Sequence, residues 1–314
     1  MLKNRTLAII FILFLVLFAA SRIFRGHRQS SFDPVLSAVD TSKVDRIKFN
    51  SGGPQAEEFE LKKSNNTWEA VQGDKKVAAA STNVKSILSI LADLKAKRVL
   101  TKESGKYSEY EITEEQASRV TAWQGKKQVA DLWIGGFRFD QAARSASSFI
   151  RVDKKPEVYL VDGFLSMSLK QRYNQYRDKK LFKGEIEDLI SLEWSDAAGK
   201  KQVLQKEDGL WYYAGMEAVD TGKIKQYLTG LKNTQGGEFS NLTSTDGLTL
   251  SEKLTLHGNN MVEPTVISAY MNQDTLKPFL IHSSENPDGL FLSDTSGIYK
   301  RIFGDLRQFW PDGK

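Results

Sequence analysis

Leu61-Lys62-Lys63-Ser64-Asn65-Asn66-Thr67-Trp68 reads as a strand, a polar turn and a second strand opened by tryptophan. Apolar positions broken by Ser-Asn-Asn are hairpin grammar. About 140 residues later, well beyond solenoid repeat lengths, the pattern returns as Leu204-Gln205-Lys206-Glu207-Asp208-Gly209-Leu210-Trp211. After the first hairpin come Val84, Ile87, Leu88, Leu91 and Leu94, and after the second Ile224, Tyr227, Leu228 and Leu231. That three-four spacing predicts one amphipathic helix per copy. Ser81 or Thr82, and Asp220 or Thr221, stand where N-caps belong. Strand-like runs follow and align in order: Ala122-Trp123 with Ala269-Tyr270, Leu132-Trp133-Ile134 with Phe279-Leu280-Ile281, Ile150-Arg151-Val152 with Leu290-Phe291-Leu292, and Val158-Tyr159 with Ile298-Tyr299. The expected class is therefore α+β: an N-terminal transmembrane helix, then two duplicated modules, each an antiparallel sheet with a packed amphipathic helix.

The membrane expectation comes from Leu7 to Ala20, an unbroken apolar run with Lys3 and Arg5 before it and Arg22, Arg25 and Arg28 after it. Extended to Phe24, Leu7 to Phe24 approaches the roughly 17–20 residues that cross a bilayer, with Arg22 snorkelling to the interface. Lipid is thus one expected partner. A cleaved secretory signal is the competing reading, with Ala19 and Ser21 as the small residues before the cut. A long trailing domain favours the N-in orientation, which places the body in the periplasm of a cell with an inner membrane; after cleavage it is secreted.

The formal charge is +5 and the pI about 9.0, yet the five basic residues around the apolar run account for the excess. No acid precedes Asp33, so the 44 basic residues less those five leave 39 against 39 acids. A neutral body lacks the field that phosphate backbones select, and nucleic acid is not an expected partner. With no cysteine there is no disulfide and no thiolate metal site. Stability has to come from packing, for which 17 Phe, 10 Tyr and 6 Trp are ample.

Two places break the symmetry of the copies. Gly135 to Ser148 is longer than its counterpart and carries Phe137, Arg138, Phe139 and Arg144, and a loop lengthened in one copy is where specialisation sits. Between the copies, Phe164 to Lys183 holds Lys170, Arg172, Arg177, Lys179, Lys180 and Lys183 against the single acid Asp178. This run reads either as a contact for membrane phosphates or an acidic partner, or as a solvated helix face. The expected organisation is a stub and anchor over 1–28, a tether over 29–43, repeats over 44–168 and 188–314, and a basic connector over 169–187.

These pieces resemble the bacterial envelope proteins of domain-of-unknown-function family 4340. The resemblance rests on the N-terminal anchor, Val44-Asp45-Arg46-Ile47, the hairpin reaching Trp68, Leu91-Ala92-Asp93-Leu94-Lys95, and Tyr176-Arg177-Asp178-Lys179-Lys180-Leu181-Phe182. Where the family tends to show Tyr-Gly-Leu after the helix, this chain has Tyr110-Glu111-Ile112, so a turn with a positive backbone angle has no glycine to serve it. Asp246-Gly247-Leu248 keeps the glycine. The resemblance implies a single-pass membrane protein with an extracytoplasmic body and no assigned activity. It also implies the company of gliding-motility-type ABC export systems, hence a membrane-protein partner.

Catalytic patterns are scarce. The three histidines, His27, His257 and His282, form no metal-ligand spacing, and no nucleophile elbow, phosphate loop or dinucleotide fingerprint occurs. Glu57-Glu58, Glu114-Glu115 and Glu185 to Asp188 are adjacent acids, which on strands point to opposite faces and read as solvated charge. Trp68, Trp123, Trp133, Trp194, Trp211 and Trp310 sit in strand-like contexts and read as core more readily than as a sugar platform. The expectation is a non-enzymatic envelope protein without cofactor or metal that docks onto an ABC-type transporter complex. Its binding residues are expected to be Phe137, Arg138, Phe139, Arg144, Arg177, Lys179 and Lys180. A glycan- or ligand-binding module is the alternative, and a carboxylate-dependent hydrolase the third reading.

Overall fold

The computed structural model describes residues 34–54, 56–213 and 217–310. The chain divides into two compact units, Met1–Lys63 with Lys85–Gln171, and Ser64–Val84 with Arg172–Lys314. The apolar N-terminal segment expected to span a membrane lies outside the described residues, and among those described no helix is long and apolar enough to cross one.

In the first unit lie β1 (Val35–Ser37), β2 (Arg46–Asn50), β3 (Glu58–Ser64), β6 (Leu94–Thr101), β7 (Ser118–Gln124), β8 (Lys127–Asp140), β9 (Ser145–Val152) and β10 (Val158–Asp162), in the spatial order β1-β6-β10-β9-β8-β7-β2-β3. Partner residues across antiparallel strands share a face. Ile47 stands opposite both Leu61 and Ala122, and Phe49 opposite both Phe59 and Val120. All six are buried, and the Phe49 and Phe59 rings stack at 4.8 Å. The hairpin of β4 (Thr67–Gln72) and β5 (Lys75–Ala78) turns at Gly73-Asp74 and groups with the second unit. Helix α1 (Ser81–Ala92) buries Val84, Ile87 and Leu91. Leu94, expected to continue that stripe, opens β6 instead.

The second unit adds α2's successor in the chain, so the first unit's short α2 (Leu165–Leu169) is followed here by α3 (Tyr173–Tyr176). Its strands are β11 (Leu189–Asp196), β12 (Lys201–Glu207), β13 (Leu210–Tyr213), β14 (Glu217–Ala218), β15 (Glu238–Phe239), β16 (Leu250–Gly258), β17 (Thr265–Met271), β18 (Phe279–Ser283) and β19 (Asn286–Ser293). They run β14-β13-β12-β11-β16-β17-β18-β19-β15. Helix α4 (Thr221–Asn233) is capped by Asp220, whose carboxylate accepts from the Lys223 N–H at 2.9 Å. Its stripe of Ile224, Tyr227, Leu228 and Leu231 joins one core with Leu192, Trp194, Leu204, Leu254, Leu256 and Phe291 of the sheet.

These contents correct the expected class. Strands account for 45% and helix for 21%, so the fold is mostly β, in two large antiparallel sheets, and not α+β. The periodicity of two helices is easy to see in the sequence, but each is a single short element beside a long ladder, too little to form a layer.

One strand order recurs: β3-β2-β7-β8-β9-β10-β6 matches β12-β11-β16-β17-β18-β19-β15 position by position. The expected alignment past the helices is therefore one strand out of step. It placed Ala122-Trp123 of β7 on β17, whereas β7 corresponds to β16. Neighbouring strands of one ladder carry similar apolar alternation, so a slip by a whole strand is invisible to pattern matching. Its last pair fails outright, because Ile298-Tyr299 leads into a helical segment over Lys300–Gly304 and Asp305–Phe309. Ile298, Ile302, Phe303 and Leu306 all reach the core at helical spacing, a signal present in the sequence.

Candidate functional site: an aromatic hairpin and a cationic groove

The first place is the far end of the β8–β9 hairpin. Ile134 pairs with Ile150, yet Phe137 pairs with Ser148, so β8 carries one extra residue at Gly135-Gly136. Such a bulge reverses which residues take a given face beyond it. In an unbroken ladder Gly136, Arg138 and Asp140 would share the face of Ser148; the bulge gives it to Phe137 and Phe139. Gly135 permits this, because a Cβ there would lie 2.3 Å from the Tyr110 carbonyl oxygen. The Ser148 hydroxyl donates to the Gly163 carbonyl at 2.8 Å and accepts from the Leu165 N–H at 2.8 Å. This pins the entry to α2 and brings Phe164 against the hairpin. Phe164 meets Phe137 edge-on at 5.2 Å and stacks with Phe139 at 6.1 Å.

These rings are not core. Phe137 is 52% exposed, Phe139 50%, Phe164 38%, and Met167 of α2 64%. Arg138 and Arg144 are exposed on the same hairpin, Arg144 at the turn with φ 48°. The structure thus keeps the four expected residues of this loop together and adds Phe164 and Met167. Sequence reasoning missed those two because only the Ser148 hydrogen bonds, formed across the chain, bring them there.

The second place lies wholly in the second unit. Arg177 sets its guanidinium 3.6 Å from the Phe239 ring centroid, donates to the Asp288 carbonyl at 2.6 Å and to Asn174 Oδ1 at 3.2 Å. Lys179 places its ammonium 5.5 Å from the same ring. Burial holds Arg177 below its ordinary range, partly offset by Tyr173 and Asp288; burial, then the charge of Arg177, lowers Lys179. Lys180 does not join them. Its side chain is exposed, and its backbone is spent on the Asp178 carboxylate, the Asn286 amide and a bridge to Gln235. Arg177 and Phe239, with Lys75 and Lys76 of β5, Tyr173 and Asp288, line a groove of about 370 Å³. A smaller cavity of about 200 Å³ holds His282 and shares Asp288 and Leu290 with it.

Two of the adjacent acids singled out in the sequence are engaged in ion pairs. Glu58 is paired with Lys48 at 2.6 Å and Glu185 with Lys232. The most buried carboxylates serve structure. Glu252 accepts from Trp194 Nε1 at 2.6 Å and from Tyr299 and Arg307, and Asp131 takes a two-pronged contact from Arg119 at 2.8 and 2.7 Å. Among the described residues no group of three or more His, Asp or Glu is placed to hold a metal ion. None of the six tryptophans is exposed; Trp133, Trp194, Trp211 and Trp310 are buried, and Trp123 lies under Arg46 at 4.2 Å.

The fold is that of a mostly β protein in two large antiparallel sheets, with an exposed aromatic hairpin in the first unit and a cation-lined groove in the second. The chain belongs to the family described as domain of unknown function (DUF4340), whose model matches residues 68–252. The match takes in Trp68, Leu91 to Lys95, Tyr176 to Phe182 and Asp246-Gly247-Leu248, while Val44 to Ile47 lies ahead of it. No curated protein and no solved structure matches the chain. At the departure from the family pattern, Glu111 takes the left-handed conformation without glycine, φ 54° and ψ 36°, as Gly247 does with φ 75°. The Ile112 N–H to Tyr107 carbonyl bond at 2.9 Å closes that turn.

Proposed function

We propose that this protein is a non-enzymatic envelope component that docks onto a membrane-protein partner, an ABC-type transporter complex, while its apolar N-terminal segment, Leu7 to Phe24, holds it at the bilayer of a bacterial inner membrane with the body on the periplasmic side. The observation that carries the docking half is the cluster of Phe137, Phe139, Phe164 and Met167, apolar side chains left in water beside a well-filled core. Exposed apolar clusters of this kind mark interaction sites, and aromatics dominate the energetics of interfaces. Arg138 and Arg144 on the same hairpin select a partner surface that is apolar at its centre and acidic at its margin. The transporter identity is supported by the family resemblance.

The test is co-purification in mild detergent with identification of the retained subunits. Wild type is expected to retain transporter subunits, and Phe137→Ser/Phe139→Ser to retain at least about tenfold less, given that central aromatic anchors are worth about 2 kcal/mol or more each. Undiminished retention by the double variant would show the surface to be wrong. Protease reaching the body in intact spheroplasts checks the periplasmic assignment.

A further inference from the structure

The geometry points to the Arg177 groove as a binding site for a small polyhydroxylated anion, a sugar bearing one phosphate or carboxylate group. The inference is independent of the docking reading, since every lining residue belongs to the second unit and none to the aromatic hairpin.

Three observations carry it. The volume of about 370 Å³ falls within the roughly 300–1,000 Å³ of small-molecule sites. Lys75, Lys76 and Arg177 face the single carboxylate-bearing residue Asp288, and among the described residues none of these cations is in ion-pair contact with a carboxylate. Third, Arg177 is fixed before any ligand arrives. Phe239 backs the plane of its guanidinium, while the Asp288 carbonyl and Asn174 Oδ1 take one proton each. A guanidinium carries five N–H groups, so others stay free for an oxyanion in the fork geometry that suits phosphate and carboxylate.

The rest of the lining suits hydroxyl groups. Ser240, Asn241 and Thr243 follow β15 along the groove, and Gln72 closes it from the hairpin. Side-chain hydroxyls and amides both donate and accept, as polyol recognition requires. The burial that depresses Arg177, a residue lining the groove, marks positive charge short of compensation, which a bound anion would supply.

Isothermal titration of the full chain in mild detergent with glucose 6-phosphate, glucuronate, glucose and inorganic phosphate tests it. Saturable binding is expected for the first two, weakened by added salt, and none for glucose. Lys75→Gln/Lys76→Gln changes only exposed hairpin residues and is expected to weaken binding about tenfold, as loss of charge-assisted contacts predicts. Arg177→Gln is expected to weaken it at least as much. Lys126→Gln, in the first unit, is expected to leave it unchanged. A thermal melt of each variant separates lost binding from lost folding, and the lysine pair keeps the test decisive if Arg177→Gln unfolds. Silence with both sugar acids overturns the proposal, as does equal binding of glucose or equal affinity of the lysine variant. Inorganic phosphate binding as tightly as glucose 6-phosphate overturns the polyol half. Binding of phosphatidylglycerol vesicles without glucose 6-phosphate overturns the choice of a free sugar over a lipid headgroup.

Discussion

His282 shows how one side chain ties this fold to pH. It is half-buried on β18 beside the Asp288 cavity, and burial holds its pKa below the ordinary 6.5, opposed in part by the Pro287 backbone. The unfolded chain then binds a proton in a range where the native protein does not, so stability is lost as pH falls below about 6.5 through the folded value. Urea unfolding of wild type and His282→Gln between pH 7.5 and 5 is expected to show a decline in wild type that is shallower in the variant. Parallel declines would remove His282 as the cause. Its position at the end of an apolar strand was legible in the sequence, but its shift was not, since desolvation depends on what the sheet and the loop after β19's first residues bring against the ring. Glu111 teaches a related lesson. The missing glycine suggested a missing turn, yet the Ser108 and Tyr107 carbonyls hold the turn and the side chain tolerates the left-handed angle, a strain on the order of 1–2 kcal/mol.

At the scale of elements, the β8–β9 hairpin depends on a bulge that Gly135 permits. Gly135→Ala drives a Cβ into the Tyr110 carbonyl, at 2.3 Å, and toward Ile112 at 2.9 Å. The expected cost is about 1–3 kcal/mol, as for other overpacked sites, measured by chemical denaturation. Partner retention should fall with it, because the bulge decides which residues share a face with Phe164. An alanine variant of wild-type stability would mean that the backbone yields there easily. The hairpins at Asn65-Asn66 and Asp208-Gly209 were readable from turn residues alone, and Asn65, Asn66, Asp208 and Gly209 all adopt positive φ. The bulge was not readable, because Gly-Gly within a strand signals a break without saying which face follows it. The one-strand slip in matching the copies has the same origin: alternation names the faces of a strand but not its neighbours.

For the molecule as a whole, the body carries balanced charge and, among the described residues, most of its large apolar side chains are buried, the aromatic hairpin being an exception, so the anchoring proposed here predicts a simple partition. The full chain should require detergent, and deletion of residues 1–28 should release a protein that stays soluble without it; ultracentrifugation of membranes from both forms measures this. A full-length chain left in the supernatant would defeat the anchoring proposal. Membership of the DUF4340 family, the hairpin turns, the helix stripes and the aromatic loop could all be read from residue order, because turn chemistry, periodicity and composition act over a few positions. The balance of strand over helix, the pinning of Phe164 by Ser148, and the meeting of Lys75, Lys76, Arg177 and Phe239 in one groove arose only on folding. Each depends on hydrogen bonds and packing between positions far apart in the chain, whose partners are chosen by the ladder and leave no local trace.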